Sequence, residues 1–119
     1  MDQIIYQHGQ ELVNQWSTMP FHLQMGNIGS EVSRALKAQI KGKQQRMLSA
    51  CYRGLELFDL AINAACDHYR QHPESGRLKE LCRAREEFCD YFFADNSWGT
   101  DSVAMQRYYD QFVTADLHS

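Results

Sequence analysis

The amino-acid sequence predicts an all-α fold: an up-down-up-down four-helix bundle with an additional N-terminal helix, in one domain over residues 1–119. Three observations carry that expectation. Apolar residues recur at helical spacing along most of the chain. The segments between breaks are rich in Leu, Ala, Glu, Gln, Lys and Arg, all good helix formers. No run of alternating β-branched residues is present to make a strand. A length of 119 residues with 44% hydrophobic and 23% charged content suits one domain that buries its own core.

The first helix is expected over about residues 3–16, with Ile5, Leu12 and Trp16 on one stripe and His8 or Gly9 filling its gap. It stops before Ser17-Thr18-Met19-Pro20. Proline suits the first helical position, so a second helix starts near Pro20. Its stripe is Phe21, Met25, Ile28, Val32, Ala35/Leu36 and Gln39/Ile40, and Gly42 terminates it. The third helix has the clearest pattern: Leu48, Cys51, Leu55, Phe58, Ile62, Ala65 and Tyr69 follow an unbroken 3-4-3-4 spacing up to His72-Pro73. A fourth helix runs from about Gly76 to Ala94 on Leu78, Leu81/Cys82, Arg85, Phe88/Cys89 and Phe92. After a turn at Asp95–Gly99, Thr100 is the expected N-cap of a last helix carrying Met105, Tyr108/Tyr109, Phe112 and Ala115. The short connections force neighbouring helices to run antiparallel.

The net charge of −3 exerts no global pull on nucleic acid or acidic membranes, but the charge is polarised along the chain. Between Val32 and Leu55 lie Arg34, Lys37, Lys41, Lys43, Arg46 and Arg53 without one acidic residue. Arg34, Lys37 and Lys41 recur at i, i+3, i+7 on the face opposite Ile28 and Val32, and Lys43 and Arg46 continue the stripe beyond the turn. Such a stripe grips a phosphate backbone or an acidic partner. It is equally what a solvated face near a helix C-terminus looks like. No aromatic residue is interleaved in it, as a single-strand binder wants.

The N-terminus lacks a charged-then-apolar pattern and no apolar run reaches the ~18 residues of a membrane span. A cytoplasmic, reducing setting is therefore expected, with Cys51, Cys66, Cys82 and Cys89 as thiols packed in the core. The cysteines make no zinc site. Cys82 and Cys89 stand roughly 10 Å apart along one helix, and Cys51 and Cys66 about 22 Å. The Glu-x-x-His pairs of di-iron bundles are absent, and His68 and His72, at i, i+4, have no further histidine near them in sequence. No serine or cysteine is placed beside a histidine as a nucleophile, and no arginine has a histidine at the Arg-x4–6-His spacing of small helical HEPN nucleases. Gly26-Asn27-Ile28-Gly29 lies inside a helical pattern, without the strand and Gly-Lys-Ser/Thr of a phosphate loop. No catalytic residue, cofactor or metal is expected.

Two further features invite tests. Arg85 shares the phase of Leu81, Phe88 and Phe92, so it is expected to face the core and to need a carboxylate partner, Asp59 first and Glu31 second. A buried pair of that kind fixes helix register or centres an anion or substrate site. The third helix also carries a second apolar face, Leu57, Leu60, Ala61 and Ala64, which must be covered by the N-terminal helix or by a second subunit. A two-fold homodimer through that face, or a docked protein partner, is the first expectation for function. An anion- or RNA-associated protein using the basic stripe is the second, and a ligand or enzymatic site around Arg85 the third.

Three stretches, Asn27-Ile28-Gly29-Ser30-Glu31-Val32-Ser33-Arg34, Gly54-Leu55-Glu56-Leu57-Phe58-Asp59-Leu60 and Glu80-Leu81-Cys82-Arg83-Ala84-Arg85-Glu86, give a resemblance. Over about residues 20–115 the chain resembles a group of small, functionally uncharacterised prokaryotic helical-bundle proteins. That resemblance implies a helical bundle and no particular activity. In architecture alone it is similar to the four-helix proteins encoded in intervening sequences of ribosomal RNA genes.

Overall fold

A computed structural model describes residues 9–117, with side chains through Thr114. Five helices follow in order: α1 (Gly9–Thr18), α2 (Phe21–Ile40), α3 (Gln44–Gln71), α4 (Arg77–Phe93) and α5 (Ser102–Leu117). Among the described residues there is no strand. The expected stripe residue Ile5, with His8, lies outside the described residues, as does the side chain of Ala115.

α2 packs against α3 and α5, and α3 in turn against α4 and α1. Met25, Ile28, Val32 and Ala35 on α2 are fully buried, as the stripe anticipates, but the stripe ends early: Ile40 is 84% exposed. On α3 the buried line is Cys51, Gly54, Phe58, Ala61 and Ala65. It keeps the 3-4-3-4 rhythm and substitutes Gly54 and Ala61 for the expected Leu55 and Ile62, which are only partly buried. Small residues at the centre let the neighbours approach: a Cβ on Gly54 would lie 3.2 Å from Phe88 and 3.7 Å from Glu31. Phe58 and Phe88 then meet across α3 and α4, ring centroids 5.4 Å apart.

The breaks are chemically specific. Carbonyls at a helix C-terminus lack intrahelical donors. At the end of α1 the buried Gln24 side chain supplies one, its Nε2 donating to Trp16 O (2.8 Å) and Met19 O (3.2 Å). α2 ends on Gly42 at φ +68°. The Gly42 N–H donates to Gln39 O (3.1 Å) and the Lys43 N–H to Ala38 O (2.9 Å), a Schellman closure that needs the left-handed residue. Between α4 and α5, the Asp90 carboxylate accepts the backbone N–H of Trp98 (3.0 Å) and the N–H and hydroxyl of Ser97. Those bonds, that of Trp98 foremost, hold Asp90 below the ordinary carboxylate pKa. The N-cap of α5 is Asp101 rather than Thr100: Asp101 Oδ2 accepts the Ala104 N–H (3.2 Å), while the Thr100 hydroxyl donates to Glu87. Tyr108 on α5 donates to Glu80 on α4 (2.8 Å), and Arg83 lies over the same ring.

Candidate anion-binding groove

The short turn at Gly42 folds the end of α2 back against the start of α3, and the two helices diverge enough on their outer side to leave an open groove of about 440 Å³. Its walls carry Arg34, Lys37 and Lys41 from α2, Lys43 from the turn, and Arg46 and Arg53 from α3. All five residues of the sequence-predicted stripe are brought to one concavity. Arg53, which the stripe did not include, joins them because α3 runs back alongside α2. Ala38, Gln45 and Ser49 complete the lining, which contains no carboxylate.

The counter-charge sits at one end. Glu31, 7% exposed, accepts Arg34 Nη1 at 2.9 Å and Arg53 Nε at 3.2 Å. It ties together two arginines on different helices, both of which also line the groove. Four lysine and arginine side chains (Lys37, Lys41, Lys43, Arg46) are exposed further along. Lys43 occupies the N-cap of α3 and makes no side-chain capping bond.

α1 fills the other half of the same interhelical channel. Leu12, Gln15, Trp16 and Met19 line a hollow together with Asn27, Ser30, Glu31 and Arg34 of α2 and Leu57 of α3. Arg34 borders both this hollow and the cationic groove. The outer α2–α3 surface is thus divided into an apolar half covered by α1 and a basic half left open.

The structure also places the residues of two further expectations. Leu60 (1% exposed) and Ala61 (0%) are buried within a single chain, in one cluster with Trp16, Leu12, Val13 and Leu57. Ala64 is partly buried. Arg85 is not a core residue: Ala84 holds the core position at 1% exposure. Arg85 Nε approaches Asp59 Oδ1 at 3.5 Å with both side chains half exposed, and Glu31 is engaged elsewhere. Arg85 lies along the boundary with its Nε out of water and without a hydrogen-bond partner, so Asp59 meets it only as a loose ion pair.

The remaining candidates stay apart. Only Cys51 of the four cysteines is buried, and Cys82 is exposed. Burial, with Cys89 nearby, pushes the Cys51 thiol up to about 11, which leaves it protonated and unreactive at neutral pH. His68 and His72 stack with centroids 4.6 Å apart. Desolvation, then the charge of Arg77, lowers the His68 pKa. Among the described residues no group of three His, Cys, Asp or Glu side chains is placed to hold a metal. No described helix is long and apolar enough to cross a membrane.

Among the described residues, fold and site together make five helices with a six-cation groove at one helix turn. No family model matches the chain, and neither does any curated protein or solved structure.

Proposed function

We propose that this protein is a non-enzymatic, cytoplasmic anion-binding module that holds the phosphate backbone of a nucleic acid in the groove between α2 and α3. The observation that carries this is the convergence of Arg34, Lys37, Lys41, Lys43, Arg46 and Arg53 on one groove without a carboxylate in its lining. A solvated face needs no such convergence from two helices and a turn. Polyanions bind by releasing condensed counterions, so a cluster of cations along a channel is worth far more to a phosphate chain than to a single small anion. The topology assumed is the antiparallel up-down-up-down arrangement of α2–α5, with α1 laid on its outside.

The test is binding of short RNA and DNA to the whole chain at several salt concentrations. Affinity should fall steeply with salt, with a log–log slope of about 3–5 if four to six phosphates are neutralised. Neutralising Lys37 and Lys41 together (Lys37→Gln with Lys41→Gln) should weaken binding and flatten the slope by roughly one to two. Absence of binding at low salt would leave the groove a solvated surface. Self-association is the other function the sequence invites; of the face that motivates it, Leu60 and Ala61 are buried within one chain and Leu57 and Ala64 are partly buried.

A further inference from the structure

The groove has an aromatic neighbour that the linear pattern of the basic stripe does not contain. Tyr52 of α3 and Phe93 of α4 meet on the outer surface with ring centroids 5.8 Å apart and planes inclined at 38°. Both are open to solvent, 56% and 42% exposed. Large aromatic side chains in a small domain are ordinarily spent on the core, and Phe58, Phe88 and Tyr109 here are fully buried. This pair instead forms an exposed apolar shelf beside the groove, outside its lining.

Its position relative to the cations follows from helix geometry. Ser49 and Arg53 line the groove, and Tyr52 is three residues beyond one and directly before the other. At about 100° per residue, Tyr52 stands about 60° around α3 from Ser49 and about 100° from Arg53, an arc of roughly 10 Å over the helix surface. The ridge of α3 that carries Gln45 and Ser49, itself one wall of the groove, therefore separates groove from shelf. A chain lying in the groove has only to run on across that ridge to bring its next units against the rings.

We infer that the groove's ligand is a single-stranded nucleic acid, whose backbone is held by the cations and whose adjoining base stacks on the Tyr52–Phe93 shelf. This deepens the groove assignment and rests on it. A duplex turns its base faces inward and offers an aromatic shelf nothing to stack on, whereas every unstacked base presents a π-face. A polypeptide acid would satisfy the cations but has no planar group at each repeat. Stacking reads no hydrogen-bond pattern on the base, so binding should be tolerant of base identity.

The experiment compares four probes on the full chain by fluorescence anisotropy: a short oligothymidylate, an abasic strand of the same length, a duplex of that length, and inorganic polyphosphate. The base-bearing strand should bind roughly tenfold more tightly than the abasic one, the contribution of about one stacked base. Tyr52→Leu should erase that difference and leave polyphosphate binding unchanged, and Tyr52→Trp should preserve it. Equal affinity for the base-bearing and abasic strands, or a duplex bound as tightly as the single strand, overturns the inference while polyphosphate binding keeps the groove intact. Wild-type protein that binds none of the four overturns both. If Tyr52→Leu fails to fold, the abasic comparison on the wild-type chain still decides.

Discussion

Gly29 shows how much a single residue constrains this fold. It lies inside α2 where α5 crosses, and a Cβ built on it would stand 2.6 Å from the Cβ of Tyr109, with the ring carbons at 3.3 and 3.6 Å. Tyr109 is 1% exposed and its own Cβ is fixed to the backbone, so neither partner can yield without moving a helix. Gly29→Ala should therefore destabilise the protein by about 1–3 kcal/mol, despite alanine's better helix propensity. Urea unfolding measures this, and a variant as stable as wild type would mean that α5 sits further out. A sequence shows Gly29 only as a glycine within a helical pattern, because the close approach belongs to a helix 80 residues away. Arg85 was misplaced for a related reason. Leu81, Phe88 and Phe92 set the phase of α4 to within one residue, and only packing decides that Ala84 rather than Arg85 takes the inner position. Its pair with Asp59 is half exposed, and the 3–5 kcal/mol of a buried pair shrinks to about 0–1 kcal/mol for Arg85→Met.

At the scale of elements, α3 is legible as a helix with two apolar faces, and both are used within the chain. One meets α2 and α4, and the other meets α1. What periodicity leaves open is the identity of the second cover, since α1 is short and any apolar stripe of matching width satisfies the pattern. Within the chain, Trp16, 3% exposed, lines one hollow with Leu57 of α3. Leu60→Glu should then act inside one chain. A carboxylate in place of a buried leucine forfeits the side chain's packing and adds its own desolvation, a loss of about 3 kcal/mol or more unless α1 lifts away. The expected outcome is a red shift of Trp16 emission and faster proteolysis around Ser17–Pro20, with most of the helical circular dichroism retained. If wild-type protein sediments as a dimer, and Leu60→Glu yields a monomer with Trp16 unmoved, a second subunit and not α1 covers α3.

The whole molecule has two tryptophans at informative places. Trp16 sits in the contact between α1 and α3, and Trp98 lies 50% exposed in the turn between α4 and α5. That turn is fastened to α4 through Asp90 and Thr100. All five helices contribute to one hydrophobic cluster, from Trp16 through Phe58 and Phe88 to Met105 and Tyr109. No polar seam divides that cluster. α1 is the element with the best claim to independence, being ten residues long and packed chiefly on α3. Two features oppose its separate melting. Trp16 loses water contact only while α2 and α3 are in place, and the Gln24 amide that caps α1 projects from α2. Undocking α1 would break both Gln24 hydrogen bonds and expose Trp16 at once, so the first step towards unfolding already removes support from the centre of the fold. Single-tryptophan variants, Trp98→Phe reporting on Trp16 and Trp16→Phe reporting on Trp98, should each give a transition that coincides with the loss of ellipticity in the same variant. A Trp16 transition at markedly lower urea than the ellipticity would make α1 a separately melting flap over α3. The α2–α3 channel would then be basic at one end and apolar along the rest whenever that flap opened.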